Sequence, residues 1–253
     1  MENKHPFRVD CECDITFFVP CYDEEDNIIL TLENITGAAI ETGVSYEILL
    51  IDDCSKDDSV RVIEDYMQAR PEAPVTFVKN KKNKGLGRNY VEGAYLSKGK
   101  YYMLVNGDNA EPREAIAAIV RKINKADMIV PYFGGKDTRK LSRRIISRIF
   151  TFLVNLLGGH SLRYYNGPVA HLKFNVMRWH ADTDGFGYQA ELLNRLLTEG
   201  VSCIEVEVPN IDRDSGITKA FTVRNFLAVA HSLTQIFLRR VRWYLFYSNE
   251  AGK

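Results

Sequence analysis

Acidic and amide side chains follow three separate apolar runs of this chain. They are Asp23-Glu24 after ITFFVP, Asp52-Asp53 after EILLI, and Asn106-Gly107-Asp108 after YYMLV. Carboxylates close to one another repel and raise each other's pKa, so several of them along one edge would be costly without a ligand. The hydrogen-bond donors of a nucleoside, or a hard cation such as Mg²⁺ or Mn²⁺, would relieve that repulsion. The alternative is that each acid only caps the helix that follows it.

The segment Lys84-Gly85-Leu86-Gly87-Arg88 has the complementary chemistry. Two glycines allow backbone N–H groups to approach an anion closely at the start of a helix, and the flanking Lys84 and Arg88 add positive charge. Because the segment follows a third apolar run, it favours a nucleotide that carries a diphosphate.

Strand-like and helical patterns alternate over the first two thirds of the chain. Strands are predicted at 15–20, 47–51, 75–78, 101–105 and 128–130, with one helix between each pair. The first helix is expected at about 25–40, with Asp23 as its cap. Single helices between strands predict an α/β fold with a mainly parallel sheet and helices on both faces. Ligands of such sheets bind at the carboxyl ends of the strands, where the acids lie.

The pattern changes after residue 135. A basic amphipathic helix is predicted at 139–157, a strand-like run at 169–174, a helix at 188–198, a strand at 201–208, a polar loop at 210–219, and then a last long amphipathic helix. No linker separates two independent domains. The sequence therefore predicts a single domain over 1–220 and a C-terminal helical segment over 221–253.

Lysine plus arginine and aspartate plus glutamate number 33 each, which argues against the broad positive field of a general nucleic-acid-binding protein. Basic residues are nevertheless concentrated at 79–100 and 136–148, which favours phosphates or an anionic membrane surface unless these are only solvated faces. Five scattered cysteines without a secretory leader predict a reducing cytosol. No apolar run reaches the roughly 18–20 residues of a membrane span. We therefore expect a peripheral protein on the cytoplasmic face of a membrane.

Several motifs together resemble those of family 2 glycosyltransferases with the GT-A fold, and more narrowly the dolichol-phosphate mannose synthase and polyprenyl-phosphate glycosyltransferase group. The segments that carry the resemblance are VPCYDEEDNI (19–28), LIDDCSKDDS (50–59), NKGLGRNYVEGAYLSKGKYYMLVNGD (83–108), GFGYQAELLNRLLTEG (185–200), EVEVP (205–209) and RDSGITK (213–219). They cover nearly the entire chain in the order found in that group.

The resemblance implies roles for individual residues. The donor-nucleotide pocket would be formed by Pro20, Tyr22, Glu24, Ile51 and Asp53, with Asp53 near the base or ribose, and the glycine-containing turn adds Lys84 and Gly85. Asp108, with Asn106 beside it, would hold Mg²⁺ or Mn²⁺ at the donor diphosphate, and Arg213 and Lys219 would contact phosphate. Arg143 or Arg144 would hold the phosphate of the acceptor lipid, since an arginine fork suits phosphate.

The chain departs from the group at three places. Asn106 replaces the usual first aspartate and Ala110 the usual glutamine, so metal binding should be weaker unless Asn109, Glu111 or the donor phosphates compensate. The segment 131–135 lacks the arginine usual after the fifth strand. The segment RYYNGP (163–168) stands where many members have an aspartate before a Ser-Gly-Phe. Tyr164, Tyr165 and His171 would either pack in the core or stack on a sugar.

The implied activity is inverting transfer of a sugar from a GDP- or UDP-sugar to a polyprenyl or dolichyl phosphate. An acceptor phosphate is already anionic, so this reaction needs no strong base. A saccharide hydroxyl acceptor would need one, and Glu191 is then the best candidate, unless it is a surface acid paired with Arg195. A catalytically impaired relative that only binds nucleotide sugars is the third hypothesis, which Asn106 makes credible.

Overall fold

Buried apolar runs form the centre of a seven-stranded sheet. The structure, a computed structural model, describes residues 11–134, 141–179, 187–209 and 223–246, with the backbone alone for 223–226. The strands are β1 Cys13–Cys21, β2 Tyr46–Asp52, β3 Val75–Lys79, β4 Gly99–Leu104, β5 Met128–Phe133, β6 Ala170–Leu172 and β7 Cys203–Val208. Their order across the sheet is β3-β2-β1-β4-β6-β5-β7.

Strand β6 pairs antiparallel with both of its neighbours, β4 and β5, whereas the other pairs are parallel. Because β4 and β5 both run opposite to β6, they point the same way, and the carboxyl ends of β1, β2, β4 and β5 lie at one edge. The predicted mixed, mainly parallel sheet is confirmed.

Helices cover both faces of the sheet, as predicted. They are α1 Ile28–Thr42, α2 Ser59–Ala69, α3 Leu86–Leu96, α4 Arg113–Val120, α5 Leu141–Gly158, α6 Lys173–Met177, α7 Tyr188–Thr198 and α8 Val223–Phe246. One core layer contains side chains of α1, α2 and α4. The other contains side chains of α3, α5, α6, α7 and α8, so the basic helix α5 and the long helix α8 lie on the opposite face from α4.

Two predicted boundaries were wrong. Helix α1 begins at Ile28 with Asn27 as its N-cap, and Asp23 instead accepts a hydrogen bond from the backbone N–H of Lys56 at 2.7 Å. The strand-like run at 169–174 is a strand only at Ala170–Leu172, after which α6 begins. In the helix Val176 is buried in the core. The apolar pattern of so short a run does not distinguish a helix from a continuing strand.

His171 on β6 is a fully buried imidazole among apolar and aromatic side chains. Its side chain is 0 % exposed, and neither ring nitrogen has a hydrogen-bond partner among the residues that the structure describes. Burial lowers the pKa of His171 from 6.5 to about 3, because the charged ring would lose its hydration. The packing alternative for this residue is therefore the one that the structure favours.

We expect the free energy of unfolding to fall by about 2 kcal/mol between pH 7 and pH 5 through His171 alone. The unfolded chain takes up a proton at this ring near pH 6.5, but the folded chain does so only near pH 3, so acid favours the unfolded state across that window. Urea unfolding at several pH values tests this. The His171→Leu variant should lose this part of the slope, and equal slopes in both chains would contradict the assignment.

Candidate active site

The carboxyl ends of β1, β2 and β4 meet at the point where the chain order of the sheet reverses. From β1 the chain runs outward through β2 and β3, and β4 then pairs with the other side of β1. At the strand ends Asp53 donates its backbone N–H to the carbonyl of Cys21 at 2.8 Å, and Val105 donates to the carbonyl of Phe18 at 2.9 Å. Ligands of α/β proteins bind at such a reversal. The structure thus brings the predicted acidic segments to one crevice.

Side chains of the β1–α1 and β2–α2 loops bind each other's backbone. The Asp23 carboxylate accepts from the Lys56 N–H at 2.7 Å, and the Glu25 carboxylate accepts from the Asp58 N–H at 2.7 Å. In the reverse direction the Glu25 N–H donates to the Asp57 carboxylate at 3.1 Å. These acids therefore serve to join the two loops, which fixes the segment containing Tyr22 and Glu24 beside the end of β2.

Asp53 joins the end of β2 to the glycine-containing turn. Its carboxylate accepts from the backbone N–H groups of Lys84 at 2.8 Å and Gly85 at 2.9 Å, and from the amide of Asn80 at 2.9 Å. Burial raises the pKa of the Asp53 carboxyl, but the neighbouring amides of Asn89 and Asn80 and the backbone N–H groups of Lys84 and Gly85 outweigh it and hold the pKa below its usual value. Asp53 is thus ionised and occupied with protein donors, so it positions the turn.

The turn itself needs glycine at its second residue. Gly85 has φ 84° and ψ 156°, a conformation that side chains other than hydrogen strongly disfavour. The Lys84 ammonium pairs with the Glu92 carboxylate at 2.5 Å on the next helix. Hydrogen bonds and this ion pair hold the turn in place beside the crevice before any ligand binds.

The β4–α4 loop is held against β1 and α1. The Thr31 hydroxyl donates to the carbonyl of Gly107 at 3.1 Å and accepts from the N–H of Asn109 at 3.0 Å. A Cβ on Gly107 would lie 2.6 Å from the carbonyl oxygen of Pro20, so only glycine fits this approach. The loop that carries Asn106 and Asp108 is therefore rigidly placed at the end of β1.

Asn106 and Asp108 supply oxygen atoms that suit a hard cation. The Asn106 amide nitrogen donates to Glu111 Oε1 at 2.9 Å. The amide oxygen of Asn106, Oδ1, takes no part in this bond. Asp108 Oδ1 accepts from the N–H of Ala110 at 3.2 Å. In the described part of the chain, no group of three or more histidine, cysteine, aspartate or glutamate side chains could hold a metal ion. The donor set still fits Mg²⁺ or Mn²⁺, which commonly combine one or two carboxylates with substrate phosphates.

Left-handed backbone at residues other than glycine is concentrated in these loops. Asp23 has φ 57°, Cys54 φ 69° and Asn109 φ 55°, one in each loop that follows β1, β2 and β4. Such conformations cost energy and are retained where the surrounding structure imposes them, often at functional sites.

A cavity of about 350 Å³ lies between the end of β5 and one side of α5. Its lining residues include Arg144, Ser147, Arg148 and Arg163, with Tyr164 beside them. Of the two arginines proposed for the acceptor phosphate, Arg144 lines this cavity and Arg143 does not. The cluster of guanidinium groups suits a phosphate.

Arg163 was not recognised in the sequence as a candidate for this cavity. Its guanidinium lies 4.3 Å from the ring centre of Tyr132 and 3.8 Å from the Glu205 carboxylate. The only signal in the sequence is that the segment 163–168 departs from the motif of the resembling group. It supplies a positive charge near the end of β5, where the usual arginine is missing.

Glu191 is fully buried, with 0 % exposure, so the hypothesis of a surface acid was wrong. Arg195 forms an ion pair with Glu199 at 2.9 Å. Glu191 lines a cavity of about 790 Å³ between α7 and α8, together with Asn194 and Gln235.

Two of the three candidate aromatic residues are core residues. Tyr165 and His171 are 0 % exposed, whereas the Tyr164 ring packs at a tilt against Phe133, with ring centres 4.8 Å apart, beside the basic cavity. Ile51 is also buried, at 2 % exposure, beneath the crevice. Arg213 and Lys219 lie outside the described residues.

The model of the family described as glycosyl transferase family 2 matches residues 16–180. This span includes the loops after β1, β2 and β4. It also includes every residue that lines the arginine-containing cavity beside α5. The chain belongs to glycosyl transferase family 2. The resemblance that the motifs indicated is therefore confirmed.

Named relatives of this family 2 chain act on lipid phosphates, as their names state. A dolichyl-phosphate beta-glucosyltransferase of Dictyostelium discoideum is 30 % identical over 136 residues, which is 51 % of this chain and 41 % of that protein. An undecaprenyl-phosphate 4-deoxy-4-formamido-L-arabinose transferase of Pectobacterium atrosepticum is 22 % identical over 209 residues, 81 % of this chain and 62 % of that protein. The chain thus spans about half the length of these curated relatives.

Solved structures confirm the GT-A fold. A mannosyltransferase from Pyrobaculum calidifontis in complex with GDP-Man and Mn²⁺ superposes with a TM-score of 0.63 at 14 % identity, covering 91 % of this chain and 64 % of that one. Glucosyl-3-phosphoglycerate synthase from Mycobacterium tuberculosis, in complex with Mn²⁺, UDP and phosphoglyceric acid, has a TM-score of 0.63 at 16 % identity, covering 89 % and 79 %.

Proposed function

We propose that this family 2 chain transfers a sugar from a GDP- or UDP-sugar to a polyprenyl-phosphate-type lipid with inversion at the anomeric carbon. The observation that carries the proposal is the arginine-lined cavity at the carboxyl end of β5. It lies at the same edge of the sheet as the acidic crevice, and one of its walls is a helix, α5, with an exposed apolar face. A phosphate attached to an apolar chain matches both features.

The donor nucleotide would bind in the crevice over the ends of β1 and β2. Pro20, Tyr22 and Glu24 would line the β1 side, and the hydrogen bonds that join the two loops support this placement. Asp53 would act mainly by fixing Lys84 and Gly85, since these donors already occupy its carboxylate. Charged groups positioned before the ligand arrives lower the cost of binding.

Asp108 and Asn106 would hold Mg²⁺ or Mn²⁺ beside the donor diphosphate, and both have oxygen atoms suited to these ions. When bound, the ion would neutralise the charge that develops on the leaving diphosphate. Two of the similar structures were solved in complex with Mn²⁺, which supports a divalent ion in general. Arg213 and Lys219, carried over from the family motif, would contact the same phosphates.

Arg144, Arg148 and Ser147 would bind the acceptor phosphate and direct one of its oxygens at the anomeric carbon. That oxygen is anionic near neutral pH, so attack needs no strong base. A bond forms from this oxygen to the anomeric carbon as the bond to the donor diphosphate breaks, and the nucleoside diphosphate leaves. Attack from the opposite side inverts the anomeric centre. Positioning and electrostatics would supply most of the rate enhancement.

Helices α5 and α8 would lie on an anionic membrane surface. By sequence α5 contains three arginines and α8 four, and neither contains an acidic residue. Both expose large apolar side chains, including Ile149 at 54 %, Phe152 at 63 % and Leu245 at 69 %. Apolar side chains beside arginines are typical of helices that bind anionic membrane interfaces. No helix in the described part of the chain is long and apolar enough to cross a bilayer.

We propose that the protein lies on the cytoplasmic face of that membrane, because of its cysteines. Five cysteines at scattered positions favour a reducing compartment. The hydroxyl-acceptor alternative is less favoured, because its candidate base Glu191 is fully buried beside α8. The impaired-relative alternative is less favoured because Asp108 and the loops that position it are intact.

Changing Arg144 to glutamine should raise the KM for polyprenyl phosphate about tenfold or more, since a guanidinium bond to phosphate would be lost. Transfer assays in vesicles and thermal shifts with GDP or UDP would be measured together. Donor-induced stabilisation should not change.

Arg121→Gln is the matched control for this test. Arg121 is half-exposed at the end of α4 and pairs with Glu41 on the opposite face of the sheet. The proposed acceptor site would be contradicted if Arg144→Gln left the KM for polyprenyl phosphate at the wild-type value, or if both substitutions raised it equally.

A further inference from the structure

Asn106 is bound by both oxygens of one carboxylate. Its side-chain nitrogen donates to Glu111 Oε1 at 2.9 Å, and its backbone N–H donates to Glu111 Oε2 at 3.1 Å. The Glu111 side chain therefore fixes which way the Asn106 amide faces. Because the amide nitrogen is bound to Glu111, the amide oxygen is the atom of this side chain left to meet a cation.

The same contact restores charge. An amide at position 106 carries no charge, but Glu111 adds one negative charge within hydrogen-bond distance of it. The charge of the pair equals that of a single aspartate. Asn109 does not compensate in this way, because its side-chain oxygen accepts from Asn34 of α1 at 2.8 Å.

We propose that Asn106 and Glu111 act as a coupled pair in place of one carboxylate ligand: Asn106 Oδ1 faces the divalent ion, and Glu111 is a positioning residue that orients the amide and supplies its missing charge. The inference rests on the proposed function, because the ion is the one expected at the donor diphosphate. Substitution of residues that hydrogen-bond to metal ligands commonly lowers metal affinity by about 10- to 100-fold.

The pair predicts a particular non-additivity. Asn106→Asp alone would place a second carboxylate against Glu111 and remove the 2.9 Å hydrogen bond, so the expected repulsion cancels the gain of a charged ligand. Glu111→Gln alone would remove the charge and one of the two bonds. In the double variant the glutamine amide can donate to the new aspartate and accept from the backbone N–H, so charge and geometry return together.

The test is Mn²⁺ binding measured by electron paramagnetic resonance in the presence of GDP or UDP, which needs no catalytic turnover. We expect Glu111→Gln to weaken Mn²⁺ binding about tenfold, Asn106→Asp to give no tightening, and the double variant to return within about threefold of wild type. Glu114→Gln, which removes an exposed acid from the first turn of α4, should leave Mn²⁺ affinity unchanged.

Unchanged Mn²⁺ affinity in Glu111→Gln, or tenfold tightening in Asn106→Asp alone, would overturn the pair. The double variant keeps the test valid if one single variant is unstable. A wild-type chain that binds no Mn²⁺ with either nucleotide would overturn both the pair and the metal step of the proposed function. A chain that shows the expected Mn²⁺ pattern but transfers no sugar to polyprenyl phosphate would overturn the proposed function and support the pair.

Discussion

Replacing Asp108 with alanine is expected to lower the rate of sugar transfer by about 1,000-fold, the largest effect that we predict. Asp108 is the carboxylate at the end of β4, on a loop that Thr31 and the Gly107–Pro20 contact hold in place. Without Asp108 the divalent ion would be bound weakly. The charge of the leaving diphosphate would then lose its main counter-ion. The effect would be measured as steady-state transfer rates with Mn²⁺ and a nucleotide sugar that the wild-type chain uses as a donor.

Asp108→Asn separates charge from structure. The amide oxygen can still accept from the N–H of Ala110, so the loop should keep its conformation while the charge is lost. We expect nearly the same loss of transfer as with alanine, and an unchanged thermal unfolding midpoint in EDTA. Wild-type transfer rates in either variant would show that Asp108 has no role in metal binding.

Changing Asp53 to alanine should reduce the free energy of unfolding by about 3 kcal/mol and abolish stabilisation by GDP and UDP. Three N–H donors would lose their carboxylate acceptor at a site only 5 % exposed, and each unsatisfied buried donor costs roughly 1–3 kcal/mol. The turn at Lys84 and Gly85 would then no longer be held beside the nucleotide. Thermal unfolding with and without each nucleotide measures both effects.

Asp58→Asn provides the matched comparison. Asp58 precedes α2, and its carboxylate forms an exposed ion pair with Arg61 at 2.6 Å, so its loss should cost less than about 1 kcal/mol. Nucleotide-induced stabilisation should remain. If Asp53→Ala kept the wild-type response to both nucleotides, the turn would have no part in donor binding.

The sheet and its functional edge could be predicted because each depends on local sequence patterns. Continuous apolar runs such as ITFFVP identify buried parallel strands, and the acids after them fall at the carboxyl edge through topology alone. The boundary errors came from short segments. Three paired residues of β6 carry too little pattern to mark where α6 begins, and hydrogen bonding across loops overrode the cap expected at Asp23.

Side-chain partners could not be predicted in the same way, because they join residues distant in sequence. Nothing around Asp53 indicates that its carboxylate binds a turn more than thirty residues away. The burial of Glu191 likewise depends on α8, which follows it by many residues. From the sequence, Glu111 is one of several groups that could compensate for Asn106, and only the structure shows its carboxylate bound to that residue.

The most direct test of polyprenyl-phosphate glycosylation is the identity of the product. The wild-type chain would be incubated with Mn²⁺, a panel of GDP- and UDP-sugars, and anionic vesicles containing polyprenyl phosphate, beside a soluble saccharide acceptor. We predict a sugar joined to the lipid phosphate, found by mass spectrometry, with its anomeric configuration inverted relative to the donor by NMR. Transfer only to the saccharide hydroxyl, or a lipid product with unchanged anomeric configuration, would contradict the proposal.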